Sequence, residues 1–207
     1  AAPALVPLGS AYLAKREPVR ATEVYRRLLT LAPKDPRAVH LVGVGLLAQG
    51  KRAEARKEFE AALVLAPGFV DPLTQLVALS LAEKQPDQAL ERVRKQAALL
   101  PKSATHQFLL GETHLARREG KPAEAAYLQA IELDPRLAGP YLQLGRLYAA
   151  SGQFDQALAK VGEALKGNPN NVGALMLAGV IHEQRGDIPK AREHYEKVLA
   201  LNPDLLT

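Results

Sequence analysis

The sequence predicts an all-α fold, an array of six helix–turn–helix hairpins, and three observations predict it. Prolines recur every 34 residues, at Pro33, Pro67, Pro101, Pro135, Pro169 and Pro203. Alanines hold a second column on the same frame, at Ala21, Ala55, Ala89, Ala123, Ala157 and Ala191. Within each period the apolar residues fall three or four apart in two separate runs, which is the spacing of helix faces and not of strands. A fixed period in the range of about 20–50 residues marks stacked units that bury their apolar faces only against neighbours.

Each unit can be justified in turn. In the first, Gly9, Ala21 and Tyr25 hold the frame, while Pro7 falls inside the first helix and predicts that it starts late or frays. The second opens on Asp35-Pro36, an N-cap followed by a proline at the first helical position, where a missing N–H is harmless. Its two helices are separated by Gln49-Gly50, a glycine suited to a left-handed cap. The third departs from its neighbours, with Val77 in the glycine column, and with Ser80 and Gln96 at two further frame positions. The fourth carries Gly111, but its turn glycine is Gly120, two residues late, which predicts a longer first helix. In the fifth, Tyr141, Leu144, Gly145 and Tyr148 share one face, Ser151-Gly152 punctuates, and Ala157, Val161, Ala164 and Leu165 share the next. The sixth repeats the plan with Gly179, Arg185-Gly186, Ala191 and Tyr195. The recurring Gly and Ala are small because a larger side chain there would hold the paired helices apart.

Composition excludes several function classes. Hydrophobic residues make up 47% of the 207 and the net charge is only +5, which is not the balance of a disordered chain. Without cysteine there is no disulfide framework, thiolate zinc site or thiol nucleophile. No apolar run approaches the roughly 18 residues of a membrane span. The 15 prolines are numerous for a helical protein, but all except Pro7 fall where a helix starts or stops.

Candidate chemistry dissolves on inspection. The stretch Gly45 to Arg52 nearly spells a phosphate-binding loop, yet Arg52 stands where a hydroxyl is needed and no strand precedes it. The histidines, His40, His106, His114, His182 and His194, include no pair at helical i, i+3 or i+4 spacing, so no metal site is expected. His114 and His182 occupy equivalent frame positions, filled elsewhere by Tyr12 and Tyr148, and are read as packed side chains. None of Ser10, Ser80, Ser103 and Ser151 lies in a nucleophile-elbow context. Glu58/Glu60 and Glu193/Glu196 read as solvated faces. The expectation is a non-catalytic chain without cofactor or metal. Charge is uneven: residues 1–103 hold 16 basic against 10 acidic side chains, and 104–207 hold 11 against 12. The clusters Lys51, Arg52, Arg56, Lys57 and Arg92, Arg94, Lys95 are read as solvated rather than nucleic-acid-binding, because no aromatic platform is interleaved with them.

These columns resemble the tetratricopeptide repeat, a 34-residue helical hairpin with small residues at positions 8 and 20 and proline at 32. Counting position 32 at each proline gives repeats 2–35, 36–69, 70–103, 104–137, 138–171 and 172–205, read as a single domain over 1–207. The resemblance implies a right-handed α–α superhelix whose first helices line a concave groove through positions 2, 5, 9, 12 and 13. Carried over residue by residue, and with Gln75 beside them as a further polar marker, it implies a partner-binding set of Arg37, His40, Val44, Asp71, Thr74, Gln75, Phe108, Glu112, Leu142 and Arg146, with Pro3 opening the position-2 column. The chaperone-binding carboxylate clamp does not match, since Val6/Ser10, His40/Val44 and Thr74/Ala78 stand where it needs Lys and Asn. A groove of apolar residues with sparse charges suits an amphipathic helix or extended peptide. The other reading of the same residues is that position 12 packs on its own hairpin and leaves a shallower groove.

The resemblance therefore implies a scaffold for a protein or peptide partner. The Ala-, Leu- and Arg-rich composition points to a bacterial source, where such arrays serve envelope assembly, secretion or polysaccharide export. Two rivals are the recruiting arm of an enzyme such as a glycosyltransferase, and an RNA-binding helical repeat, against which the strict spacing of 34 argues. The closing Leu199, Leu201, Leu205, Leu206 and Thr207 supply no polar cap, so a longer array or self-association through the ends is expected. Compartment is left open between cytoplasm and periplasm.

Overall fold

A computed structural model of the chain describes residues 2–203, with side chains from Ala4 onward. Pro3 of the expected groove, and Leu205, Leu206 and Thr207 of the expected apolar end, lie outside the described side chains. Among the described residues there are twelve helices and no strand. They are α1 (Ala2–Ala14), α2 (Pro18–Leu31), α3 (Pro36–Ala48), α4 (Arg52–Leu65), α5 (Val70–Ala82), α6 (Pro86–Leu99), α7 (Ala104–Ala116), α8 (Gly120–Leu133), α9 (Ala138–Ala150), α10 (Phe154–Gly167), α11 (Val172–Gln184) and α12 (Ile188–Leu201). Residues 1–101 and 102–207 form two compact units of three hairpins each. In each unit every helix packs against the next in sequence, and in the second unit α9 also touches α11.

The frame prolines stop the second helices: each lies two residues past a helix end, as Pro67 does after Leu65. Pro18, Pro36 and Pro86 occupy first helical positions, and Asp35 caps α3 by accepting a hydrogen bond from the Arg37 amide at 2.9 Å.

Two local expectations are corrected. Helix α1 runs from Ala2 through Pro7 without starting late. Pro7 is its sixth residue, so it removes only one intrahelical bond near an end whose first amides have no partner anyway. The fourth unit does not lengthen its first helix either: α7 has 13 residues like every other first helix, and Gly120 opens α8 instead. The left-handed turn residue is Arg118, with φ 63°. Its equivalents 34 residues apart are Arg16, Gly50, Lys84, Gly152 and Gly186, all with positive φ. The reason is the closing bond, in which the amide after the left-handed residue donates to the carbonyl five residues back, as Glu119 does to His114 at 3.0 Å and Gln153 to Tyr148 at 2.9 Å. That bond fixes the position whatever residue occupies it, so glycine marks only half of the turns.

In every hairpin but the fifth, where Gly145 faces Val161, the core is a size exchange. A Cβ at Gly43 would lie 2.6 Å from the fully buried Phe59 ring, and Gly9, Gly111 and Gly179 stand in the same way against Tyr25, Tyr127 and Tyr195. Where the glycine is replaced by Val77, the facing residue shrinks to Val93, and both are buried. The alanine column lines the same interface with 0–3% exposure throughout. Substituting both members of a pair keeps the summed volume that close packing requires.

Candidate functional site

Burial of the frame leaves the remaining residues of each first helix to form a face of their own. In the first unit that face carries Arg37, His40 and Val44 on α3, and Asp71, Thr74 and Gln75 on α5. Arg37, Asp71 and Thr74 are exposed, while His40, Val44 and Gln75 are half-buried. His40 is committed to packing: its ring lies 5.4 Å from that of Phe59 and 5.3 Å from that of Phe69. Burial holds its pKa below the ordinary histidine value, with Asp71 pulling weakly the other way, so the imidazole is neutral near pH 7. The Thr74 hydroxyl donates to its own helix, at the Val70 carbonyl.

The second unit carries the other four expected residues, and Tyr127 and Gln143 link three of them, Phe108, Glu112 and Arg146. Phe108 packs on the cluster of Ala123, Tyr127 and Leu144, and a Cβ at Gly139 would come within 2.9 Å of its ring. Leu142 packs on the neighbouring cluster around Tyr141 and Ala174. Glu112 accepts from the Tyr127 hydroxyl at 2.5 Å and from Gln143 Nε2 at 3.2 Å, and Arg146 donates to Gln143 Oε1 at 3.3 Å. A polar chain thus runs from the buried frame at Tyr127 to the exposed face at Arg146. Burial, and then the Glu112 carboxylate, push the tyrosine hydroxyl well above its usual pKa, so it remains a donor.

Beside Arg146, α9 and α11 enclose a furrow of about 450 Å³ lined chiefly by Ala149, Ala150, Met176, Leu177 and Val180. Met176 is 42% exposed and Val180 37%, two of the twelve large apolar side chains left exposed among the described residues, and here both line the same furrow. Both occupy groove positions, Met176 the fifth and Val180 the ninth of its repeat, but as isolated apolar letters they gave no sign of standing out. What opens the furrow is the smallness of Ala149, Ala150 and Gly173, a signal that needs two helices side by side to be read. The position-12 leucines Leu47, Leu81 and Leu115 are half-buried, and Leu115 packs on Tyr127 and its neighbours, in line with the reading of position 12 as frame.

Other constellations are structural. Ser103 Oγ lies 2.7 Å from His106 Nδ1. This contact joins the first residues of α7, and His106 is fully buried with its Nε2 unpartnered, so no orienting acid completes a triad. His114 and His182, at 5% and 8% exposure, are packed as expected, and their Nδ1 atoms face Glu119 at 2.6 Å and Asp187 at 3.6 Å. Arg117 and then His114 hydrogen-bond the Glu119 carboxylate and lower its pKa to about 2. The His182 ring stacks on that of His194 at 5.5 Å. In the basic clusters, Arg56 pairs with Glu83 at 2.8 Å and Arg92 with Glu60 at 3.0 Å. Among the described residues no group of three or more His, Cys, Asp or Glu could hold a metal ion, and no helix is long and apolar enough to cross a membrane.

Comparison with known proteins adds the following. A family model described as "Tetratricopeptide repeat" matches residues 80–138 and 142–205, and a second such model matches 4–39. Curated relatives include anaphase-promoting complex subunit 3 of Schizosaccharomyces pombe, 24% identical over 96% of this chain and 30% of that protein. A UDP-N-acetylglucosamine–peptide N-acetylglucosaminyltransferase of Giardia intestinalis is 30% identical over 66% of this chain and 10% of that protein. Cellulose synthase operon protein C of Pseudomonas fluorescens is 28% identical over 78% of this chain and 13% of that protein. The chain spans less than a third of the length of each. Among solved structures, yeast Tom70 superposes with a TM-score of 0.79 at 20% identity, over 88% of this chain and 39% of that one. The type IV pilus biogenesis factor PilW superposes with a TM-score of 0.70 at 18% identity, over 100% of this chain and 98% of that one.

Proposed function

Because the chain belongs to the tetratricopeptide repeat family, we propose that it is a non-catalytic interaction scaffold docking an apolar segment of a protein partner in the furrow between α9 and α11. The observation that carries this reading is the pairing of half-exposed Met176 and Val180 with a void of about 450 Å³ floored by small residues. Anchors of this kind supply affinity when a partner side chain removes them from water. A non-catalytic role fits the side chains that could do chemistry, since the histidines are packed or held in turns and His106 lacks a third partner.

A photo-crosslinking residue at Met176 should trap the partner, whereas the same residue at Gln129, exposed on α8, should not. Trapping at position 129 alone would refute the furrow as the site. Two cellular settings are proposed. One is a bacterial envelope or polysaccharide-export assembly, supported by the likeness to cellulose synthase operon protein C and to PilW. The other is a recruiting arm for a glycosyltransferase, supported by the Giardia relative. A catalytic domain in the parent gene would decide for the second.

A further inference from the structure

The geometry points to the chemistry of the docked segment: an internal stretch of peptide in which a side-chain carboxylate lies next to large apolar residues, the carboxylate meeting Arg146. This rests on the proposed docking in the α9–α11 furrow and goes beyond it by naming what the furrow selects. Arg146 is the one charged side chain among the residues lining that furrow. Its hydrogen bond runs to the Gln143 amide oxygen at 3.3 Å, a neutral acceptor, and it joins none of the ion pairs formed by Arg56, Arg92, Arg117 and Arg185. The nearest carboxylate along the polar chain, Glu112, is already engaged by Tyr127 and Gln143.

A guanidinium presents several donors in a planar fork matched to a carboxylate. Here one fork stands at the rim of an apolar trench, with Met176 and Val180 on the facing helix. An apolar partner side chain entering the trench would bring its neighbouring residue up to Arg146. A carboxylate there gains a charge-assisted hydrogen bond while the trench excludes water. A lysine there would meet a like charge and be rejected. A free chain terminus is the weaker candidate, because a single arginine beside a glutamine supplies few of the converging donors that hold a terminal carboxylate.

The test is selection of random 12-residue peptides with amidated C-termini on the full 207-residue chain, followed by affinity measurement on enriched sequences. Enriched peptides are expected to combine Leu, Met or Phe with an adjacent Asp or Glu. Replacing that acid by its amide should weaken binding roughly two- to five-fold, the range of one exposed ion pair. Arg146→Gln should lose the acidic preference and keep the apolar one, Arg146→Glu should invert it toward Lys or Arg, and Arg146→Lys should restore part of it. Arg146 is exposed and outside the core, so circular dichroism should report folded variants. Apolar peptides without acidic preference, or binding that requires a free C-terminus, would overturn the inference and leave the docking site standing. No enrichment by the wild type, with a folded chain, would overturn the docking site itself, and the inference with it.

Discussion

If size exchange holds the second hairpin together, Gly43 and Phe59 should behave as one unit under mutation. A Cβ at Gly43 would lie 2.6, 2.8 and 3.2 Å from three carbons of the Phe59 ring, which has no exposure and therefore no room to swing away. Gly43→Val is then an overpacking change costing about 1–3 kcal/mol, reduced by a few tenths because valine is the better helix former. Phe59→Val removes most of a buried ring and should cost about 2–3 kcal/mol, somewhat less than truncation to alanine. Independent effects would sum to about 3–5.5 kcal/mol for the double variant. Val77 facing Val93 shows that this frame accepts two valines, both buried at 4% and 0% exposure. The double variant is therefore expected to lose only about 1–2 kcal/mol, a coupling near the upper end of that seen for touching residues. Urea unfolding followed by far-ultraviolet circular dichroism measures all four proteins, with midpoints compared at constant slope. Additive losses would refute the size-exchange account, because they would show that the ring and the glycine are felt separately.

Further expectations follow from the turns and the buried histidines. Arg118 holds φ 63° where Gly50, Gly152 and Gly186 stand in equivalent turns, so Arg118→Gly should stabilise. The gain should be about 0.5–1 kcal/mol, the left-handed strain relieved less the added freedom of the unfolded chain; a lower melting temperature would contradict it. Burial also lowers the pKa of His40, His106 and His194. Each folded pKa lies below the unfolded one, so the unfolded chain binds more protons, and this contribution is complete above about pH 6.5 and lost as the pH falls through the folded values. Midpoints measured from pH 7.5 down to 5 should therefore fall, and His106→Gln should flatten part of that slope; an unchanged slope would show that His106 does not titrate on unfolding.

The frame was legible because it repeats. Pro33 and its five equivalents and Ala21 and its five equivalents each speak six times, and the glycine–aromatic pairing four times, so tertiary constraints appear as columns without any coordinates. Gly120 misled for the complementary reason: the turn is fixed by a backbone bond that Arg118, Lys84 and Arg16 can also close, and backbone bonds leave no letter in the sequence. The site was only half legible. Arg146, Glu112 and Phe108 could be placed on first helices by register, but their fates differ. Phe108 turns into the core, Glu112 is bound by a frame tyrosine, and only Arg146 reaches the furrow. Met176 and Val180 were in the right columns without distinction, since exposure of an apolar residue depends on the helix beside it.

The Tyr127–Glu112–Gln143–Arg146 chain makes one frame residue part of the site. Tyr127 is buried as a ring, and its hydroxyl is the donor that holds the Glu112 carboxylate at 2.5 Å. Removing only the hydroxyl, as in Tyr127→Phe, keeps the ring against Gly111 and strips Glu112 of its strongest donor. The carboxylate then needs another partner, and Gln143, with Arg146 behind it, is the nearest along the chain. An Arg146 drawn back toward Glu112 is no longer free at the rim. Tyr127→Phe should therefore weaken binding of an acidic furrow peptide by several-fold, while binding of its amide counterpart stays nearly unchanged. The stability change should be modest, about 1 kcal/mol for one hydrogen bond. Equal weakening of both peptides would mean that the substitution had merely loosened the hairpin, and an unchanged affinity for both would mean that frame and site are independent.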